Sequence, residues 1–293
     1  MTASSPPQLE GAEHRYADLP GVRIHYAEAG DSAGDAVLLL HGWPQHWASW
    51  SKVIPALAAG GYRVLVPDLR GFGWSQAPGN GYDGETFARD QVALLDELGV
   101  ESAHVLGHDW GGWVTILLGT EHPQRVRRLV ACNTPHPWPR QRPSLLLEAW
   151  RSWYAALNAA PGAGPATVMR TARACLTRGN VHDPFSPEEL ASYIGQFREP
   201  ERAEAARALY RYYFRAFREA LSGKYDSKRL AAPTLLLFGA QDIWVSPRVV
   251  EHTEDYRDRA AEMTVELVPD SGHFIVDEKP ELVVERALSH FSS

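Results

Sequence analysis

Cysteine and methionine are scarce in this chain, two and three respectively in 293 residues. Cys132 and Cys175 are far apart and form no C-x-x-C pair, so nothing supports a disulfide framework or a zinc knuckle, and a reducing compartment fits. Long apolar runs are missing as well: no stretch approaches the roughly 20 residues needed to cross a bilayer. The opening residues MTASSPPQLEGAEH have neither the basic start nor the apolar middle of a signal peptide. A cytoplasmic location is the expectation. Basic residues are outnumbered, 29 Lys and Arg against 36 Asp and Glu, for a formal net charge of -7. That balance argues against a general affinity for nucleic acid or an anionic membrane.

What the chain does hold is apolar bulk. It is 44% hydrophobic and 22% charged, which suits one large core with an inserted subdomain and argues against extensive disorder. Strand and helix signals alternate through the first half. GVRIHYAEAG (21–30) has the period of a strand, AVLLL (36–40) and YRVLVPDLRG (62–71) are buried strands, and WSKVIPALAAGG (50–61) is a helix stopped by glycine. TFARDQVALLDELGV (86–100) and GGWVTILLGTEHP (111–123) predict helices around the strand AHVLGHDW (103–110), and RVRRLVACNTP (125–135) predicts a further strand. The rhythm then breaks: residues 137–224 are helical, rich in aromatics and arginines, with joints at 161–165 and 180–188. Strand APTLLLFGAQD (232–242), helix VVEHTEDYR (249–257), strand AEMTVELVPDSGH (261–273) and helix ELVVERALSHF (281–291) follow. The expected fold is an α/β core, residues 1–136 and 225–293, built on a mostly parallel sheet with helices on both faces and interrupted by a helical cap at 137–224.

An open parallel sheet presents its chemistry at the carboxyl ends of its strands. Those ends carry His41-Gly42-Trp43-Pro44, Asp68 with Arg70, His108-Asp109, Asp242 and His273. VLGHDWGG (105–112) has the strand, glycine-flanked turn and helix in which G-x-S-x-G places a nucleophilic serine, but Asp109 occupies the central position. Asp109 is therefore either a helix N-cap, for which aspartate is favoured, or a nucleophile. A carboxylate with an ordinary pKa of about 3.9 is already ionised at neutral pH and attacks without a base.

The motifs HGWP (41–44), DLRGFGWS (68–75), GHDWGG (107–112), GAQD (239–242) and SGHF (271–274) resemble those of α/β-hydrolase-fold epoxide hydrolases, from about residue 15 to the C-terminus. The order nucleophile, acid, histidine is the one described for that fold. The resemblance implies that Asp109 forms an alkyl ester with the substrate and that His273 activates the water that cleaves it. Asp242 would orient His273, and the backbone N–H groups of Trp43 and Trp110 would form the oxyanion hole. It further implies two cap tyrosines that donate to the epoxide oxygen: Tyr154, and Tyr210 in competition with Tyr212 and Tyr213. No cofactor or metal is implied. The partners implied are an apolar or aromatic epoxide and water, with oligomeric state open, a homodimer included.

Asn133 and Thr134, which follow the strand ending at Cys132, are not acidic, and this favours Asp242 as the orienting acid. His41 and His108 are expected to hold backbone turns, and Asp68 with Arg70 to form a structural turn with an internal ion pair. Neither cysteine is given a role. The same Asp-His-Asp set also serves haloalkane and haloacetate dehalogenases. Trp43 in place of an asparagine, and Trp110 in place of an arginine, favour the epoxide. A non-catalytic ligand-binding protein of this fold is the third alternative, and it normally lacks a member of the triad.

Overall fold

The structure is a computed structural model and describes residues 5–138, 149–251, 256–260 and 262–293. Eight strands form one sheet: β1 (Ala12–Leu19), β2 (Val22–Gly30), β3 (Ala36–Leu40), β4 (Arg63–Pro67), β5 (Ala103–His108), β6 (Val126–Cys132), β7 (Thr234–Gly239) and β8 (Met263–Val268). Their spatial order is β1-β2-β4-β3-β5-β6-β7-β8. From β4 to β8 every pairing is parallel, whereas β2 runs antiparallel to both β1 and β4.

Alternate side chains along each central strand enter two separate cores, as the two-residue period of a strand requires. Leu38, Leu40, Val105, Leu129 and Leu236 face one side, with α2 (Gly84–Glu97) and α3 (Trp110–Glu121) packed over them. Val37, Leu39, Leu106, Val130 and Leu237 face the other, under α1 (Ile54–Ala59) and the C-terminal helix Pro280–Ser292. The strands are thus covered on both faces, which explains why they read as continuous apolar runs. α3 is buried from Trp110 to Thr120 and is apolar all round, unlike the amphipathic α2.

Between β6 and β7 lie α4 (Trp153–Ala159), α5 (Pro165–Arg178), α6 (Pro187–Gly195) and α7 (Pro200–Leu221). The last three each begin at a proline, whose missing N–H costs nothing at a helix start. α6 adds a capping box between Ser186 and Glu189. Val168, Leu209 and Tyr210 from these helices, with Phe197 from the turn between α6 and α7, join the same apolar core as α2 and α3. The chain is completed by α8 (Arg248–Glu251), α9 (Ile275–Glu278) and α10 (Pro280–Ser292). Among the described residues, no helix is long and apolar enough to cross a membrane.

Four expectations change. Strand β1 was not anticipated, and neither was α9. The helix expected over 249–257 is α8 alone among the described residues, with a turn at 256–259. Asp68 and Arg70 do not pair. Arg70 makes two hydrogen bonds to Asp90 of α2, at 2.8 and 2.6 Å. Asp68, fully buried, faces His25 Nδ1 at 2.7 Å and accepts from the N–H groups of Trp47 and Trp74. The two side chains leave one turn and each finds its partner on a different element, His25 on β2 and Asp90 on α2. Residues 139–148 of the helical segment expected over 137–224 lie outside the described residues.

Two glycines set the turn that carries Asp109. A Cβ at Gly107 would strike the carbonyl of Gly111 and the hydroxyl of Thr115, and one at Gly111 would strike the carbonyl of Leu40. The strand, the turn and the first turn of α3 therefore approach closer than any side chain allows. Gly111→Ala should lower the free energy of unfolding by about 3 kcal/mol or prevent folding, because the obstacle is backbone that cannot turn aside. Urea denaturation monitored by circular dichroism checks this, and an unchanged midpoint would refute it.

Candidate active site

Asp109 stands at φ 51°, in the left-handed region that non-glycine residues seldom enter. It occupies the N-cap position of α3, yet its side chain makes no capping hydrogen bond. The carboxylate turns instead toward the ends of the neighbouring strands. Oδ2 accepts the backbone N–H of Trp43 at 3.0 Å, and Oδ1 lies 3.8 Å from His273 Nε2. Burial pushes the pKa of Asp109 up to about 6, while the nearby His273 and the N–H groups of Trp110 and Trp43 pull the other way. The resulting carboxylate is ionised at neutral pH but poorly solvated.

His273 follows β8, and Asp242 follows β7. Their side chains meet with Nδ1 2.8 Å from Asp242 Oδ2. Burial opposes the charged imidazolium, but the carboxylates of Asp242 and then Asp109 outweigh it and raise the pKa of His273 above its ordinary value. Asp242 is itself held on both oxygens. The N–H groups of Trp244 and Val245 donate to Oδ1 at 2.7 and 2.9 Å, and the amide of Asn133 donates to Oδ2 at 2.7 Å. Asn133 also reaches the carbonyl of Gly272, beside His273, at 3.3 Å. The residue dismissed for not being an acid thus grips the acid that is there, and its positive φ of 49° at the end of β6 aims it.

The histidine loop is anchored from two further directions. The backbone N–H of His273 donates to the carbonyl of Gly179, just past α5, at 2.7 Å. Glu278 of α9 accepts from the N–H groups of Gly272, Val181 and His182. His108 Nε2 sits 2.8 Å from the carbonyl of His273, and His41 lies between the carbonyl of Gly42 and the N–H of Leu69. Both histidines hold backbone, as their positions in the sequence suggested.

Asp109 and His273 open onto a small cavity of about 10 Å³, close to the room that one water occupies. Trp43, Tyr154, Cys175, Tyr210, Trp244 and Phe274 complete its wall. The Tyr154 ring stacks on Trp43, 6.0 Å between centroids, and meets Tyr210 edge-on at 5.6 Å. Burial raises the pKa of both phenols well above the ordinary value, so both keep their protons at neutral pH. The hydroxyls of the competing tyrosines are engaged elsewhere: Tyr212 O–H donates to Glu85 and accepts from the Trp113 indole, and Tyr213 pairs with Ser152. Cys175 and Trp244 carry no motif that would mark them in the sequence; the helices bring them in. Both cysteines are free and buried. Among the described residues, no group of three or more His, Cys, Asp or Glu side chains is placed to hold a metal ion.

Residues 35–280 match the α/β hydrolase fold family. The chain is a member of that family. The soluble epoxide hydrolase of Corynebacterium sp. (strain C12) is 30% identical to this α/β hydrolase over 95% of its length and 97% of the relative. The AB hydrolase superfamily protein YfhM of Bacillus subtilis (strain 168) is 28% identical over 97% of this chain and 100% of its own. The crystal structure of Epoxide Hydrolase A from Mycobacterium thermoresistibile superposes with a TM-score of 0.78 at 27% identity, covering 96% of this chain and 98% of that one. This α/β hydrolase is therefore epoxide-hydrolase-like along nearly its whole length.

A largely buried carboxylate with a raised pKa stabilises the fold while protonated and opposes it once ionised, so its contribution is lost as pH rises through about 6. Asp109→Asn removes the charge and keeps an oxygen for the Trp43 N–H. The variant should be more stable than the parent at pH 8, by up to about 3 kcal/mol, with the difference gone near pH 4. Thermal melts at the two pH values test this, and an equal difference at both would contradict it.

Proposed function

We propose that this α/β hydrolase opens an epoxide to a vicinal diol through an ester on Asp109. The observation that carries the reading is the meeting of Asp109, His273 and the two protonated phenols of Tyr154 and Tyr210 around one cavity. In the first step Asp109 Oδ1 attacks an epoxide carbon and the C–O bond breaks. The departing alkoxide takes a proton from Tyr154 or Tyr210. An alkoxide is a poor leaving group without such a donor, whereas a halide needs none, which favours the epoxide over the dehalogenase reading.

The 3.8 Å between His273 Nε2 and Asp109 Oδ1 is too long for a direct hydrogen bond and leaves the nitrogen free for a water. In the second step His273 takes a proton from that water, which attacks Cγ of the ester. Asp242 stabilises the imidazolium, and Oδ2, already facing the Trp43 N–H, carries the negative charge of the tetrahedral intermediate. The Cγ–O bond to the alkyl group then breaks as the His273 imidazolium protonates the departing alkoxide to give the diol, and the acid left on Asp109, with one oxygen from water, returns its proton to the phenolate. The apolar wall of Trp43, Trp244 and Phe274 suits an apolar or aromatic substituent. In this reading the helices α4 to α7 act as the cap that supplies both tyrosines.

His273→Gln should keep the first step and stall at the ester, seen as a substrate-sized mass increase on the intact protein. No adduct on a folded variant that still binds substrate would sink the mechanism. Because the positive charge of His273 lowers the pKa of Asp109, the half-maximal pH of ester formation in that variant should move above about 6, toward alkaline. Tyr154→Phe combined with Tyr210→Phe should reduce diol formation by about 10²–10⁴-fold. Turnover within a few-fold of the parent would mean that these phenols are not the acids.

A further inference from the structure

A larger cavity, about 170 Å³, lies away from Asp109 and shares no wall residue with the cavity there. It forms where the α6–α7 junction meets two turns of the core, one carrying His46 and one carrying Gly73 and Trp74. Its volume is comparable to the roughly 150 Å³ that accommodates a benzene ring. Trp74 supplies a flat apolar wall, held edge-on against His46 at 4.9 Å. Apart from Ala191 and two glycines, the rest of the lining is polar.

The charges in this cleft do not cancel. Arg202 is nearly buried and fixed by two hydrogen bonds, from Nε to Glu199 Oε2 at 2.8 Å and from Nη1 to the carbonyl of Ser75 at 2.9 Å. That pairing neutralises Glu199. Arg198 lines the same cleft, and among the described residues no carboxylate pairs with it. The His46 ring is buried, which pulls its pKa down to about 3 and leaves it neutral. Its Nδ1 accepts the N–H of Ala48, so Nε2 carries the proton and donates to Ser192 Oγ at 2.9 Å. Ser192 is thereby left with a hydroxyl proton to donate, in a cleft that already holds an uncompensated guanidinium.

We propose that this cleft binds a small organic carboxylate, one ring or a short chain in size, with the carboxylate on Arg198 and Ser192 and the apolar part against Trp74. The guanidinium fork matches a carboxylate in shape and charge. With Glu199 paired to Arg202, one guanidinium remains for a ligand, which matches a monoanion and not a polyanion. The cleft is also wired to the Asp109 site. Gln196, in its wall, accepts the N–H of Gly73 at 2.9 Å and donates to the carbonyl of Pro44 at 3.0 Å. Pro44 follows Trp43, whose N–H holds Asp109. A ligand here bears on the turn that would form the oxyanion hole.

The test is a ¹⁹F NMR titration of the full chain with 4-fluorobenzoate at constant ionic strength, with unlabelled benzoate, inorganic phosphate and 4-fluorobenzyl alcohol as comparisons. Saturable binding displaced by benzoate is expected, at least tenfold tighter than for the neutral alcohol. Arg198→Gln, at an exposed side chain, should weaken it about tenfold or more. Ala191→Trp, which fills the cleft from an exposed position of α6, should abolish it. No saturable binding, binding that both variants retain, or displacement by phosphate in preference to benzoate would overturn the proposal. These readouts are independent of epoxide turnover, so they stand or fall apart from the mechanism at Asp109.

Discussion

Withdrawing the Asp109 carboxylate from water is the constraint on which the rest of the site depends. Burial alone would favour its protonated form, and the pKa near 6 records how far burial prevails. The N–H groups of Trp43 and Trp110, together with the neighbouring imidazole, restore enough stabilisation for the charge to persist at neutral pH. Each of these partners needs its own support. The Trp43 turn rests on His41 and Gly42, and His273 rests on Asp242, which rests in turn on Asn133 and two backbone N–H groups. A carboxylate left in solvent would need none of this scaffolding, but it would also be a weaker and less directed nucleophile.

Much of this was visible in the amino-acid order because the sheet translates sequence into place. A buried strand ends where its apolar run ends, and the next polar residue lies at the edge of the sheet. Asp109, Asp242 and His273 could be found in that way without any knowledge of contacts. Strand β1 was invisible for the opposite reason. AEHRYADL lies at the edge of the sheet and is largely solvent-facing, so charges interrupt the pattern that marks a strand. The partners of Asp68 and Arg70 were equally hidden. Proximity in sequence suggested that they pair, whereas His25 and Asp90 reach them from 43 and 20 residues away.

The inserted helices mark the limit of such reading. Each residue along a helix turns by about 100°, so the rings of Tyr210, Tyr212 and Tyr213 all reach Trp110 while the hydroxyls of Tyr212 and Tyr213 find different partners, Glu85 and Ser152. Only the packing of α7 against the core decides which of them shares a cavity with Asp109. The same holds for Cys175, a residue of an amphipathic helix given no role from the sequence, whose side chain helps to close that cavity. Asn133 was noticed for what it is not. Its use as a donor to Asp242 depends on a left-handed backbone conformation that no local pattern announces.

The hydrogen bond from the His273 N–H to the Gly179 carbonyl has a consequence for how such proteins diversify. A segment that supplies an acceptor to the backbone of its host is not a detachable module. Two α/β hydrolases can trade this stretch of chain only if the incoming piece brings a carbonyl to the same spot; otherwise the recipient gains a new aromatic wall and loses the footing of its histidine. Exchange is therefore constrained not only at the aromatic side chains of α4 and α7 but also just past α5, where the carbonyl of Gly179 and the N–H groups of Val181 and His182 are all bonded to the core.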